Sequence, residues 1–177
     1  MLNFIKDLFS QLAGPSEEEQ TAQTAHRIQL ATAVLLVEVL RADPTLEAAE
    51  RDAILHALKT RFALSANELS GLMELAQDTA KTAYDYQQFT GLLNEHFTQP
   101  EKIEVVEAMW QVAYADAHLD AHENHVISKV AGLLHVTHGE YIAAKMRAKE
   151  TAPAPSPANN NFATERTPGN ATLLLKP

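Results

Sequence analysis

A nine-residue acidic segment occurs twice in this chain, each time between two stretches whose apolar residues follow helical spacing. It reads ADPTLEAAE at residues 42–50 and ADAHLDAHE at residues 115–123. Each copy, called an acidic corner below, has an Asp at its second position and a Glu seven residues later. A tight bend between two helices would bring these carboxylates close together. The sequence therefore predicts two helical hairpins, each with a pair of carboxylates at its bend.

The repeat continues beyond the acidic corners. With an offset of 73 residues, Ile54 corresponds to Ile127, and after a one-residue deletion Ser65 corresponds to Thr137. Each half reads as a helix, an acidic corner, a second helix, a short turn and a third helix, and no segment alternates like a strand. We therefore expect an all-α fold, a compact bundle of seven or eight helices built from two pseudo-repeated three-helix units.

Apolar periodicity and helix-start signals place the individual helices. Two helices are expected at about residues 25–41 and 46–62, and the first is so apolar on all sides that it belongs at the centre of a bundle. The spacing of a capping box marks two further helix starts, at Ser65 and at Asp120. Two more helices lie between these starts, and a last one is expected at about residues 138–149.

Composition divides the chain into regions. Residues 1–15 are expected to hold a short amphipathic helix, and residues 25–150 the helical domain. The polar residues 16–24 between them are expected to be a linker or a frayed first turn. Residues 151–177 are rich in Pro and Asn, which predicts a disordered tail. Within that tail, the three leucines at residues 173–175 could serve as a docking peptide.

Composition also excludes several classes of function. The formal net charge of −9 argues against a nucleic-acid partner, because phosphate binding needs clustered Lys and Arg. The absence of Cys excludes disulfides, thiolate zinc sites and cysteine nucleophiles. The longest apolar stretch, residues 31–40, is shorter than the roughly 20 residues of a bilayer span. We therefore expect a cytoplasmic protein, with residues 2–12 available for peripheral contact with the inner face of the membrane.

The duplicated corner resembles the tellurite-resistance TerB-like family, which also forms the N-terminal domain of a membrane-anchored DnaJ-type co-chaperone. The resemblance covers roughly residues 25–150, and the residues that carry it are Asp43, Leu46 and Glu50 in the first copy and Asp116, Leu119 and Glu123 in the second. It implies a helical bundle with clustered acidic residues that are often proposed to bind metal ions, and a role in stress responses rather than catalysis. Pro44 and Ala117 stand where the family usually has Gly, which argues against a ligand geometry that needs a left-handed corner.

Carboxylates of the acidic corners are the candidate metal ligands, because their hard oxygens suit calcium, magnesium or manganese. The candidates are Asp43, Glu50, Asp116, Asp120 and Glu123, with His118 and His122 as weaker ones. A structural role is the alternative for Asp120 and Glu123, whose spacing is that of a helix cap. For the two histidines, a position on the surface without a bound metal is the favoured interpretation. The second corner also imitates the start of an EF-hand loop but lacks its Gly and its final Glu.

Glu38 lies within the most apolar helix of the chain. A buried carboxylate there needs a hydrogen-bonding partner. The sequence therefore predicts a polar seam near the acidic corners that includes Glu38, and the alternative is a partly exposed helical Glu.

No catalytic residue is assigned, because the sequence contains no phosphate loop, nucleophile elbow or ordered Ser, His and Asp. Three functions remain open at this stage. The resemblance favours a non-catalytic interaction module that binds a protein partner and holds a divalent metal ion at its acidic corners. A second reading is a metal-dependent hydrolase or redox enzyme, in which the bound ion activates water. A third is an adaptor that docks on a membrane complex through residues 2–12 and 173–175.

Overall fold

The computed structural model describes residues 16–43 and 48–153. Within these residues the chain forms seven helices and no strand. The helices are α1 (Glu17–Ala42), α2 (Ala48–Phe62), α3 (Ala66–Thr82), α4 (Gln87–His96), α5 (Gln99–Ala113), α6 (Ala121–Leu133) and α7 (His138–Thr151).

The all-α class and the helical bundle are therefore confirmed. None of the helices in the described part of the chain is long and apolar enough to cross a membrane. The predictions made for residues 1–15 and for the tail beyond Pro153 lie outside the described residues.

Capping boxes begin several of the helices: a Ser, Thr or Asp caps the first backbone N–H groups, and a Glu three residues later reaches back to the cap. The boxes at Ser65 and Asp120 begin α3 and α6, as predicted. A further box at Ser16 begins α1 well before residue 25. The prediction of a linker or frayed turn at residues 16–24 is therefore wrong. Acidic side chains in the first turn of α1 also suit the positive end of the helix dipole.

The α1 helix lies at the centre of the bundle, as its apolar sequence predicts. It packs against α2, α3, α4, α5 and α6, and nearly every residue from Ala31 to Leu40 is buried. The α5 helix adds Val105, Met109 and Trp110 to the same core and packs against α7. Each fully buried large apolar side chain contributes about 1.5–3 kcal/mol to folding. The termini of α1 and α5 are thereby fixed in position, and these termini carry the acidic corners.

The turns that follow α2 and α6 each contain one residue with a positive φ. Ala63 after α2 has a φ of 51° and His135 after α6 has a φ of 58°, so both residues are left-handed. Such a residue commonly ends a helix. In each case the residue that caps the next helix, Ser65 or Thr137, follows two positions later. This similarity concerns the turns, and the pseudo-repeat of whole three-helix units stays a prediction.

Candidate metal centre

Three carboxylates from the two acidic corners lie together in the structure. Asp43 ends α1, Glu50 lies in the first turn of α2, and Asp116 follows the end of α5. One carboxylate oxygen of each lies within 4.8 Å of the corresponding oxygens of the other two. Glu50 is fully buried, and Asp43 is 9% exposed. The structure therefore brings both corners to one place, called the carboxylate cluster below.

Glu123 is a fourth carboxyl group beside this cluster. It is fully buried in the first turn of α6, where its Oε2 accepts a hydrogen bond of 2.9 Å from the backbone N–H of Asp120. Its Oε1 has no hydrogen-bond donor among the described residues. Burial, together with the carboxyl groups of Glu50 and Asp116, raises the pKa of Glu123 to about 8 in spite of the lowering effect of the Asp120 N–H. Glu123 therefore holds a proton at neutral pH.

Asp120 has a structural role. It is the N-cap of α6, and its Oδ1 accepts a hydrogen bond of 2.7 Å from the backbone N–H of His122. That bond, followed by the contact with the His122 ring at 2.8 Å, holds the pKa of Asp120 below its usual value. The exposed ring of His118 faces its own corner instead, with Nδ1 3.1 Å from the carbonyl oxygen of Asp116. Among the described residues, the close group of ligand atoms does not extend to these three side chains.

The second corner turns through a left-handed residue. Ala117 has a φ of 63°, and its N–H donates to the carbonyl oxygen of Tyr114 at 3.1 Å. One residue later, the N–H of His118 donates to Oδ1 of Asp116 at 2.8 Å. The argument from the missing Gly is therefore wrong at this corner, because local hydrogen bonds hold an Ala in the conformation that usually favours Gly. Pro44, at the first corner, lies outside the described residues.

The polar seam predicted around Glu38 has different partners. Its side chain is 12% exposed and forms a 2.6 Å ion pair with Arg41. Its other oxygen accepts a 3.3 Å hydrogen bond from the hydroxyl of Tyr86, next to α4. Glu38 therefore joins α1 to the start of α4.

Aromatic side chains lie next to the second corner. The rings of Trp110 and Tyr114 stack with centroids 5.8 Å apart, and the ring of Tyr141 lies 5.5 Å from that of Trp110. Trp110 is fully buried, whereas Tyr114 is half-buried and lies two residues before Asp116. Proximity along the chain is the signal that could have placed them beside the site. They supply an optical reporter close to the carboxylate cluster.

The chemistry of the carboxylate cluster favours a cation. Two ionised carboxylates about 5 Å apart repel each other by about 3 kcal/mol at an effective dielectric constant of 20. A bound cation or a proton removes that repulsion. Ligand oxygens lie about 2.0–2.6 Å from Mg²⁺ or Ca²⁺, so the oxygens around one such ion lie within about 5 Å of each other. The oxygens of Asp43, Glu50 and Asp116 meet that bound for either ion.

Comparisons with known proteins identify one family. A family model described as tellurite resistance protein TerB matches residues 29–146, which include both acidic corners. No curated protein and no solved structure matches the chain.

Proposed function

The chain belongs to the TerB family of tellurite resistance proteins, and on that premise we propose that it is a non-catalytic helical module that binds a divalent cation at its carboxylate cluster. The observation that carries the proposal is the convergence of Asp43, Glu50 and Asp116 within 4.8 Å. These residues come from three elements of the bundle. A cation held by them links the end of α1, the start of α2 and the end of α5.

Calcium is the ion we propose first, because the cluster offers only oxygen ligands and Ca²⁺ accepts irregular arrangements of such ligands. Glu123 adds a fourth carboxyl group that carries a proton when no cation is bound. Binding of a cation next to it favours release of that proton, since the positive charge stabilises the carboxylate.

Thermal unfolding of the full-length chain with and without Ca²⁺ tests the proposal. A ligand that binds only the folded state at about 100 times its Kd stabilises that state by about 2.7 kcal/mol, so the unfolding temperature should rise with Ca²⁺ concentration. Asp116→Asn should remove the effect. Asp78→Asn is the matched control, because Asp78 is an exposed aspartate that pairs only with Lys81 on α3. An equal rise in both variants, or none in the wild type, would exclude the site.

Terbium luminescence locates the bound ion. Tb³⁺ replaces Ca²⁺ at oxygen sites, and excitation of nearby Trp110 and Tyr114 transfers energy to it. Emission should appear in the wild type and in Asp78→Asn, and Ca²⁺ should suppress it by competition. Emission that persists at full strength in Asp116→Asn would place the ion elsewhere.

The family description supports a role in the response to tellurite, which we propose as the physiological context. In a tellurite-sensitive bacterial strain that lacks its own TerB, the wild-type chain should restore growth on potassium tellurite. Asp116→Asn, expressed at the same level, should restore it poorly, and Asp78→Asn should behave as the wild type. Equal rescue by both variants would separate the carboxylate cluster from this role.

A further inference from the structure

A long groove lies between α2 and α5, away from the carboxylate cluster. It has a volume of about 860 Å³, with α1 forming its floor. Leu36, Leu58 and Val105 line it and are buried, and Ala57 and Ala108 line it with half-buried side chains. The bottom of the groove is therefore apolar.

A second depression continues this groove. It has a volume of about 560 Å³, and His56 and Gln111 line both cavities. Together the cavities follow α5 and its extension from Glu101 to Ala115. At the helical rise, the 14 steps from Glu101 to Ala115 correspond to about 21 Å, the length of a helix of about 14 residues. Small side chains such as Ala49 and Ala148 line the second depression and allow a helix to approach closely.

The lining of the groove is acidic. Glu101, Glu104 and Glu107 line one side of it along α5, and Asp52 lines the second depression. Arg61 is the one Lys or Arg in the lining of these two cavities of the described chain. Arg61 pairs with Glu104 at 2.6 Å and with Glu101 at 3.7 Å, and Arg147 pairs with Glu107 at 2.7 Å. The four carboxylates of the lining still outnumber these two guanidinium groups, and the Glu104 side chain is 65% exposed. A ligand with basic side chains beside an apolar face complements this arrangement.

Arg61 forms part of the wall of the groove. Its guanidinium packs over the ring of Phe97 at 4.4 Å, and both residues line the groove. Its Nε is buried and is therefore not exposed to a ligand.

We propose that this groove binds an amphipathic helix of a partner protein, about 14 residues long, with an apolar face and Lys or Arg along its flanks. The apolar face covers Leu36, Leu58 and Val105, and the basic flank lies along the glutamates of α5. This docking site goes beyond the proposed cation site and does not depend on it, because none of the three cluster carboxylates lines either cavity.

Fluorescence anisotropy with the full-length chain tests the proposal. The probe is a labelled helical peptide of about 14 residues with Leu and Ala on one face and Lys at the other positions. Its counterpart has Glu in place of every Lys. The Lys peptide should bind and the Glu peptide should not, and removal of divalent cations with EDTA should leave the affinity unchanged. Equal binding of both peptides would overturn the charge argument.

Two matched substitutions decide whether the peptide binds in the groove. Ala108→Arg fills the groove and adds a positive charge to it, and it should weaken binding at least about tenfold, as expected for the centre of an interface. Ala143→Arg places the same charge on the exposed face of α7 and should leave affinity within about twofold. Equal weakening in both variants means non-specific attraction and overturns the proposal.

Chemical-shift mapping on the wild type gives a test that does not depend on a variant. Backbone resonances of the groove residues on α2 and α5 should shift when the Lys peptide is added, and shifts confined to other helices would overturn the proposal. Replacement of the three leucines at residues 173–175 by Ser in the full-length chain should leave peptide affinity unchanged. Tighter binding would assign the groove to this chain's own tail instead of a partner.

Discussion

Replacement of Glu123 by Gln should change how the stability of the protein depends on pH. Glu123 is fully buried, and burial raises its pKa from an ordinary value of 4.5 to about 8, with the carboxyl groups of Glu50 and Asp116 adding to the shift. Between these two values the folded protein keeps the proton on Glu123, whereas the unfolded chain releases it. The unfolded state then binds fewer protons than the folded state, so stability falls as pH rises.

The magnitude follows from the size of the shift. One pKa unit corresponds to about 1.36 kcal/mol, so the step from 4.5 to about 8 gives an upper bound of about 5 kcal/mol for wild-type Glu123. This contribution is fully present below about pH 4.5 and is lost as pH rises towards 8. Gln is neutral at every pH, has nearly the same size, and can still accept the N–H of Asp120 as the third residue of a capping box.

Urea unfolding at pH 5, 6, 7 and 8 in EDTA measures the effect. The wild type should lose free energy of unfolding steadily over this range, whereas Glu123→Gln should lose much less and should be the more stable of the two at pH 8. Glu140→Gln is the matched control. Glu140 has the same capping-box position in α7, but the N–H of Thr137, followed by the side chain of Gln99, lowers its pKa.

The control variant should therefore behave in the opposite sense. A lowered pKa means that the charged form of Glu140 stabilises the folded state above the ordinary value of 4.5, so Glu140→Gln should be less stable than the wild type at every pH tested and should keep the wild-type slope. A wild-type slope retained in Glu123→Gln, or a Glu123→Gln protein no more stable than the wild type at pH 8, would refute the reasoning.

Two further substitutions test the backbone of the fold. Ala117→Gly should stabilise the protein by about 0.5–1 kcal/mol in urea unfolding. Gly avoids the cost of about 1–2 kcal/mol that an L-residue has in the left-handed conformation, and the greater freedom of Gly in the unfolded chain cancels only part of this stabilisation. Ala143→Gly, the same change inside α7, should destabilise by about 1 kcal/mol, and destabilisation by both would contradict the argument. Ser16→Ala should destabilise the protein by about 1 kcal/mol through loss of the α1 cap, while Ser70→Ala on the exposed face of α3 should not. Equal destabilisation by the two substitutions would contradict the capping role of Ser16.

Local signals predicted most of the helix starts. The boxes at Ser65 and Asp120 were readable because a cap depends only on residues three positions apart. The same signal was present at Ser16 and Glu19, and the start of α1 was missed because the polar composition of residues 16–24 outweighed it. A capping box is thus a better guide to the start of a helix than an apolar face is, since the first turns of α1 extend beyond the core and need no apolar face.

The contacts around Glu38 and Glu123 depend on packing that the sequence does not encode locally. Tyr86 is 48 residues from Glu38 along the chain and reaches it only because α4 packs on α1. Asp120 and Glu123 are both acidic residues of one capping box, and from the sequence alone they are equal candidates as metal ligands. The structure separates them: Asp120 caps the helix at its surface end, whereas Glu123 points inward and is fully buried.

The carboxylate cluster was predictable in part because the same corner occurs twice. A single acidic bend is usually solvated, and its composition alone does not indicate a site. When two acidic bends lie at the ends of helices that pack in one core, the positions of those helices fix the distance between the bends. Asp43 and Glu50 belong to one bend and Asp116 to the other, so the burial of α1 and α5 determines how closely their oxygens approach. Repulsion among these carboxylates opposes that approach, and the proton on Glu123 relieves part of it by keeping a fully buried neighbour neutral. The core therefore sets the geometry of the cluster, while protonation of Glu123 lowers the electrostatic cost of that geometry.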